Sequence, residues 1–398
     1  MLKVAFMVHP LPYGLYTVYR NLRWPMARHG VELRWVGLGE PAAAAFDDPA
    51  WAAERAHGEV VATRRTGDAQ QARLLADHIA GRYDAVLHSP PYYALETNLL
   101  RYLPRRILRF LTVQSMALGI YRPITAVRQF THLAVASSKR VGDDLARYAR
   151  FPNERTIVIP NGIDPAPYTN LPPRPASPPL RLLYLGRIEN NQKGVFSLPT
   201  LMEQLRGVDA TLTVAGGGPD LEELKARCAP LGDRVRFAGV LPPADVPDCL
   251  ASHHAMVMFS RSEGLPNVLL EAMAAGCVPL VSRIRGLTDW VVTHEKDALL
   301  FPVGDVPEAA RLASRLAAEP QLNARLSANV KETFRERFTA EAVAQQYAGA
   351  MLKVAADPPP IEDPLPIERW SYPRVFKPTL IQRLLSRETK NRIQQWLG

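Results

Sequence analysis

The residues best suited to chemistry lie in Ser260–Gly276, SRSEGLPNVLLEAMAAG, where two carboxylates flank a helix start. An apolar run, Met256–Phe259, precedes the segment. Gly264 permits a sharp turn, and Pro266 suits the first helical position, where a missing N–H costs nothing. Val268, Leu269, Ala272 and Met273 then supply an apolar face. The free N–H groups of such a first turn, here near Asn267, Val268 and Leu269, act with the positive end of the helix dipole to attract an anion. Glu263 falls just before the helix, and Glu271, four residues after Asn267, shares its face. Alone, the two acids read as solvated helix-end charges. Beside a phosphate they would repel it, so they suit hydroxyls on its two flanks. Sugar, diphosphate, ribose is the order found in a nucleotide sugar.

A second group lies upstream in Leu185–Gly194, LGRIENNQKG. Arg187 directly follows an expected strand, and Lys193 opens the next helix. Two cations at a strand's carboxyl end suit a diphosphate, Arg as a bidentate donor and Lys as a point charge. In Ala215–Pro219, AGGGP, Gly216, Gly217 and Gly218 allow either a close approach of backbone to a ligand or a tight turn. Gly37–Ala42, GLGEPA, formally fits a dinucleotide fingerprint, but Pro41 and the alanine run give no helix start, so a loop is expected. His253 and His254 lie near Cys249 without a second ligand pair, so no metal site is expected.

These residues need a scaffold of parallel sheets. Apolar runs expected as strands are Leu2–Val8, Val31–Val36, Ala85–His88, Phe110–Val113, Leu133–Ala136 and Thr156–Ile159, then Arg181–Leu185, Thr211–Val214, Arg234–Phe237, Ala255–Phe259, Pro279–Val281 and Leu299–Phe301. Helical stretches alternate with them, among them Leu15–Arg28, which Pro25 is expected to kink or end, Ala69–Ile79 and Lys139–Ala149. Alternation of this kind builds right-handed βαβ units. The expected fold class is α/β, two doubly wound Rossmann-like domains facing a cleft. Leu171–Leu180, LPPRPASPPL, has five prolines in ten residues and reads as the linker. The expected organisation is residues 1–170, the linker 171–180, residues 181–350, and a Pro-rich segment with a basic tail over 351–398. Open parallel sheets bind ligands beyond the carboxyl ends of their strands.

Composition narrows the class. With 47% apolar and 22% charged residues the 398-residue chain is that of an ordinary globular protein, which excludes a disordered one. Three cysteines, Cys228, Cys249 and Cys277, exclude a disulfide framework and fit a reducing compartment. No apolar run is long enough to span a membrane, and Val4–Val8 is too short for a signal peptide, so a cytoplasmic location is expected. The net charge of +9 is concentrated in Arg369–Gly398, which carries seven bases and one acid. A nucleic-acid partner is not expected, since its basic surface would lie on the folded domains. Among those bases Leu380, Ile381, Leu384 and Leu385 have helical spacing. The tail either packs back on the N-terminal domain or holds the protein at an anionic membrane surface, the inner face of the membrane.

Taken together, Glu263-x₇-Glu271, Gly186-Arg187…Lys193-Gly194, the Gly216–Pro219 turn and Pro160-Asn161-Gly162-Ile163-Asp164 resemble the family-4 retaining glycosyltransferases of the GT-B fold, over roughly Asn161–Ala350. Met1–Gly30 looks like the same family's opening strand, loop and helix, with Gly14 in the loop. The resemblance implies a nucleotide diphospho-sugar donor and a hydroxyl-bearing acceptor lying against the N-terminal domain. It implies transfer with retention by front-side attack, without a cofactor or metal, and the chain has no Asp-x-Asp motif. On that pattern Arg187 and Lys193 hold the diphosphate, Glu263 the sugar hydroxyls and Glu271 the ribose. Backbone at Asn267–Leu269 adds phosphate contacts, and Val240 lies near the base. The family's N-domain His is replaced by Gln114 in Phe110–Ser115, FLTVQS, with His88 as the other candidate. An epimerase on the same fold and a non-catalytic nucleotide-sugar binder are the alternatives.

Overall fold

The computed structural model describes residues 1–8, 14–39, 52–61, 67–90, 94–116, 118–174 and 178–376. Thirteen strands are described: β1 Leu2–Met7, β2 Val31–Leu38, β3 Gly58–Val61, β4 Ala85–His88, β5 Leu108–Val113, β6 Leu133–Ala136, β7 Thr156–Val158, β8 Leu180–Leu185, β9 Ala210–Ala215, β10 Val235–Gly239, β11 Ala255–Met258, β12 Val278–Arg283 and β13 Leu299–Pro302. All pairings are parallel. They form one sheet ordered β3-β2-β1-β4-β5-β6-β7 and another ordered β10-β9-β8-β11-β12-β13. Each sheet runs outward in both directions from its first strand, the doubly wound pattern expected.

The chain divides into two compact units, and among described residues the first comprises Met1–Gly162 with the segment from Ala340, and the second Ile163–Thr339. In the first, Val4, Phe6, Val31, Leu33, Ala85, Leu87 and Phe110 meet Tyr16, Tyr19, Leu22 and Met26 of the helix Gly14–Arg28. Pro25 does not end that helix. It is buried beside Leu22 and Met26, and packing of the apolar face outweighs one lost backbone bond. The same core takes Val343, Ala344, Tyr347 and Met351 of the helix Ala340–Ala356. The expected boundary at residue 350 places the start of this helix in the second domain, but its apolar stripe covers the first unit's core. Lys139–Ala149 begins as an α-helix and widens into a single π turn over Leu145–Ala149, closed by Arg150 in a left-handed conformation.

Beyond that helix the Pro-rich chain straps the first unit. Glu362 N donates to Gln129 O, Leu365 N to Arg101 O, and Trp370 stacks on Tyr102 at 4.7 Å between ring centroids. The basic stretch from Lys377 onward lies outside the described residues, as do residues 175–177 of the linker and 40–42 of the GLGEPA segment. Among the described residues no helix is long and apolar enough to cross a membrane.

In the second unit, Leu182, Tyr184, Leu212, Val214, Val257, Leu280 and Phe301 face the helices Ser197–Gln204 and Val306–Ala318. The opposite face is buried too, through Leu183, Met256, Val281, Leu269 and Leu270. Burial on both faces explains the near-continuous apolar runs of these strands, and each buried leucine is worth about 2 kcal/mol.

Candidate active site

The second sheet's order reverses between β8 and β11, and the segments leaving their carboxyl ends carry the expected charges. After β8 the chain turns at Gly186, with φ +150°. Gly186 N donates to Ala215 O at 3.0 Å, Ile188 N to Gly217 O at 2.9 Å, and Gly216 N to Gly239 O at 2.7 Å. A Cβ at Gly216 would lie 1.9 Å from Gly186 O, and one at Gly218 2.1 Å from Ile188 O. Close packing of two loops therefore accounts for Gly216 and Gly218. Val240, beside Gly217, is 77% exposed.

Glu189 caps the single helical turn Asn190–Lys193 by accepting from Asn191 N at 2.8 Å and Gln192 N at 3.1 Å. Gly194, φ +65°, ends it where a Cβ would come within 2.4 Å of Phe259 O. The turn is thereby pressed against the segment after β11. Arg261 N donates to Gln192 O at 2.8 Å, and Gln192 Nε2 to Ser262 O at 2.9 Å. Lys193 Nζ then reaches Glu263 Oε1 at 2.5 Å, and Ser260 Oγ donates to the same oxygen at 2.7 Å. Glu263 is 6% exposed. A buried carboxylate needs such partners to stay ionised. Arg187 is exposed at the loop before the turn, and its carbonyl accepts from Tyr184 Oη at 2.6 Å. Burial, and then the charges of Glu263 and Glu189, push the Tyr184 phenol upward, so it remains a donor.

Glu271 does not join this ion pair. It is half-buried on the helix Asn267–Ala275, and burial pushes its carboxyl up to about 7. Its charge helps to raise the Tyr168 phenol, after burial itself. Asn267 and Val268 are half-buried at the helix start and Leu269 is buried. Leu269 N, expected to be free for an anion, donates to Pro266 O at 3.0 Å because the first turn tightens.

In the first unit, the polar residues that end or directly follow β4, β5 and β6, His88, Ser89, Gln114 and Ser137, carry no charge. His88 ends β4 fully buried, its Nε2 2.7 Å from Thr97 Oγ1, and its Nδ1 has no partner among the described residues. Burial pushes the imidazole down to about 3, so it is uncharged near neutrality. Ser89 Oγ and Ser137 Oγ, one residue past β4 and β6, are also buried and unpartnered among the described residues. Gln114, expected to face a sugar, donates from Nε2 to Thr112 Oγ1 at 2.7 Å, and that hydroxyl lies 3.2 Å from Tyr347 Oη. Gly14 opens the helix Gly14–Arg28, and the loop before it lies outside the described residues.

Sequence reasoning missed Ser260, Tyr184, Ser89 and Ser137. Ser260 stood inside the motif already singled out. The other serines could have been found by asking which polar residue first follows each strand. Among the described residues, no three His, Cys, Asp or Glu side chains are grouped to hold a metal ion.

Two doubly wound parallel sheets with charge at one carboxyl edge define the class as a GT-B glycosyltransferase fold. Residues 179–319, within the second unit, match the model of the family Glycosyl transferases group 1. The chain is 38% identical over 150 residues to the lipopolysaccharide core biosynthesis glycosyltransferase LpsD of Rhizobium meliloti, covering 37% of this chain and 43% of that protein. It is 27% identical over 239 residues to the 2-deoxystreptamine glucosyltransferase of Streptomyces kanamyceticus, covering 52% and 61%. These matches span less than two thirds of either relative. Over the fold as a whole, Anabaena HepE in complex with UDP superposes with a TM-score of 0.73 at 17% identity, covering 89% of this chain and 100% of that one.

Proposed function

We propose that the protein transfers a sugar from a nucleotide diphospho-sugar to a hydroxyl-bearing acceptor with retention of anomeric configuration, in cell-surface polysaccharide, glycolipid or natural-product glycosylation. The observation that carries this reading is the Lys193–Glu263 pair, fixed by Ser260 at the carboxyl edge of β8 and β11. Arg187 and Lys193 neutralise the diphosphate as it departs, Glu263 accepts from the sugar hydroxyls, and Glu271 accepts from the ribose. The first unit binds the acceptor beside His88, Ser89 and Ser137. The acceptor oxygen forms the new bond to the anomeric carbon on the face from which the diphosphate leaves. The anomeric carbon–oxygen bond breaks, and the acceptor's proton passes to a leaving phosphate oxygen. No protein base is required, which suits an edge whose His88 is neutral. The relatives named above are transferases, which supports transfer over epimerisation. Structures of HepE with UDP and with UDP-glucose make UDP-sugars the first donors to try.

The test is purified protein with a panel of nucleotide sugars and simple acceptors, the product's anomeric configuration being read by NMR. Lys193→Ala and Glu263→Gln are expected to lose turnover. Wild-type turnover in both would overturn the site. Conversion of donor without acceptor would mark an epimerase, and donor binding with no reaction a binding protein.

A further inference from the structure

At the opposite, amino-terminal edge of the second sheet lies a cavity of about 510 Å³ whose lining includes Arg174, His254, Asn323, Ser327 and Lys331. Arg174 is fixed by carbonyls: Nη1 donates to His253 O at 2.5 Å and His254 O at 3.3 Å, and Nη2 to Ala275 O at 3.0 Å. Those contacts hold the guanidinium without cancelling its charge. Lys331 lies against Gly276, where a Cβ would come within 2.4 Å of its Cε. It is half-buried and has no acidic partner among the described residues. Burial, then the charges of Arg174 and Arg335, hold its ammonium below the usual range. Asn323 Nδ2 and Ser327 Oγ donate to His254 O and Gly276 O, which sets the rim.

No described lining residue is acidic. Two cations sharing a partly buried cavity without a carboxylate raise each other's energy, and an anion there relieves both. Arg174, its terminal nitrogens engaged by carbonyls, supplies fixed positive charge, and the Lys331 ammonium supplies adjustable donors for a phosphate. We propose that this cavity is an anion site, separate from Lys193 and Glu263, that takes a phosphate dianion, free or as the monoester of a small metabolite. The volume accommodates such an ester, and none of the residues that hold it belongs to the proposed donor site.

The experiment is thermal unfolding and calorimetric titration of the full chain with inorganic phosphate and with glycerol phosphate, at ionic strength held constant with chloride. At ten times its Kd the ligand should raise Tm by about 3 °C. The shift should persist in Lys193→Ala and Lys331→Arg and vanish in Lys331→Met, which keeps the apolar stem and, by circular dichroism, the fold. Equal calorimetric affinities for both probes assign the free ion, and tighter binding of glycerol phosphate assigns an ester. Loss of the shift in Lys193→Ala, its persistence in Lys331→Met, or no shift in the wild type would each overturn the proposal. None of these outcomes touches the transferase assay, so the two readings fail separately.

Discussion

The carboxyl edges of the two sheets share a topology and differ in chemistry. Both sheets reverse next to their first strand, between β1 and β4 and between β8 and β11. At the second reversal stand a buried ion pair and an exposed arginine. At the first stand a neutral imidazole and the Ser89 hydroxyl, and two strands away past β6 the Ser137 hydroxyl, both hydroxyls unpartnered among the described residues. A buried charge must bring its partners with it, so the charged edge is a connected network. A neutral donor or acceptor costs about 1–3 kcal/mol when left unmade, which a sheet edge tolerates where a ligand can complete it.

Substitutions can break that contrast. The largest effect is expected for Lys193→Ala. It leaves Glu263 buried without its cation, and the cost is about 3 kcal/mol by urea unfolding. Turnover should drop about 100-fold or more for lack of a positive group on the leaving phosphate. Ser137→Ala, in the first unit and fully buried, should change stability by less than about 1 kcal/mol, because it removes a hydroxyl unpartnered among the described residues. Equal costs at the two edges would end the comparison.

Gly216→Ala comes next. Its φ of +141° and the 1.9 Å approach of a Cβ to Gly186 O predict a loss of about 2 kcal/mol in unfolding, with donor affinity falling as the two loops separate.

Glu271→Gln sharpens the comparison, since stability and binding should move oppositely. Its folded pKa of about 7 lies above the ordinary 4.5. The protonated form is therefore favoured in the fold, and its stabilising contribution, full below 4.5, is lost as pH rises through 7. The variant should be more resistant to urea than the wild type at pH 8 and equal to it at pH 4. Its donor affinity at pH 8 should be about 10-fold lower, because a carboxylate accepts from hydroxyls better than a neutral amide.

The smallest effect near neutrality belongs to His88. Its folded pKa of about 3 lies below the ordinary 6.5, so the stability it contributes is present above 6.5 and is lost as pH falls toward 3. His88→Gln should flatten the acid limb of a stability–pH curve and leave the pH profile of turnover between 7 and 8 unshifted. A displaced profile would show that His88 titrates in the reaction.

Much of the second unit was legible in advance. All six of its strands fall where apolar runs predicted them; the inner ones are buried on both faces and so write themselves as near-continuous hydrophobic segments, while the edge strand β10 has no buried residue. The pairing of Lys193 with Glu263 was not legible as a contact, since 70 residues separate them and the turn at Gly194 against Phe259 brings them together. β3 was missed because Gly58–Val61 is short, with one buried residue, and its glycine is chosen by the Trp35 ring lying over it.

The sequence by itself determined which residues carry charge and where helices start, because a glycine, a proline and an acid at fixed spacing act through local backbone geometry. Only the tertiary structure decided which groups meet. Strand order joins Ser260 and Glu263 to Lys193, and packing sets Tyr347 beside Thr112 and gives the helix Ala340–Ala356 to the first unit. The physical reason is that apolar faces and buried polar atoms take whichever partner the packed sheet sets beside them, whatever their separation along the chain.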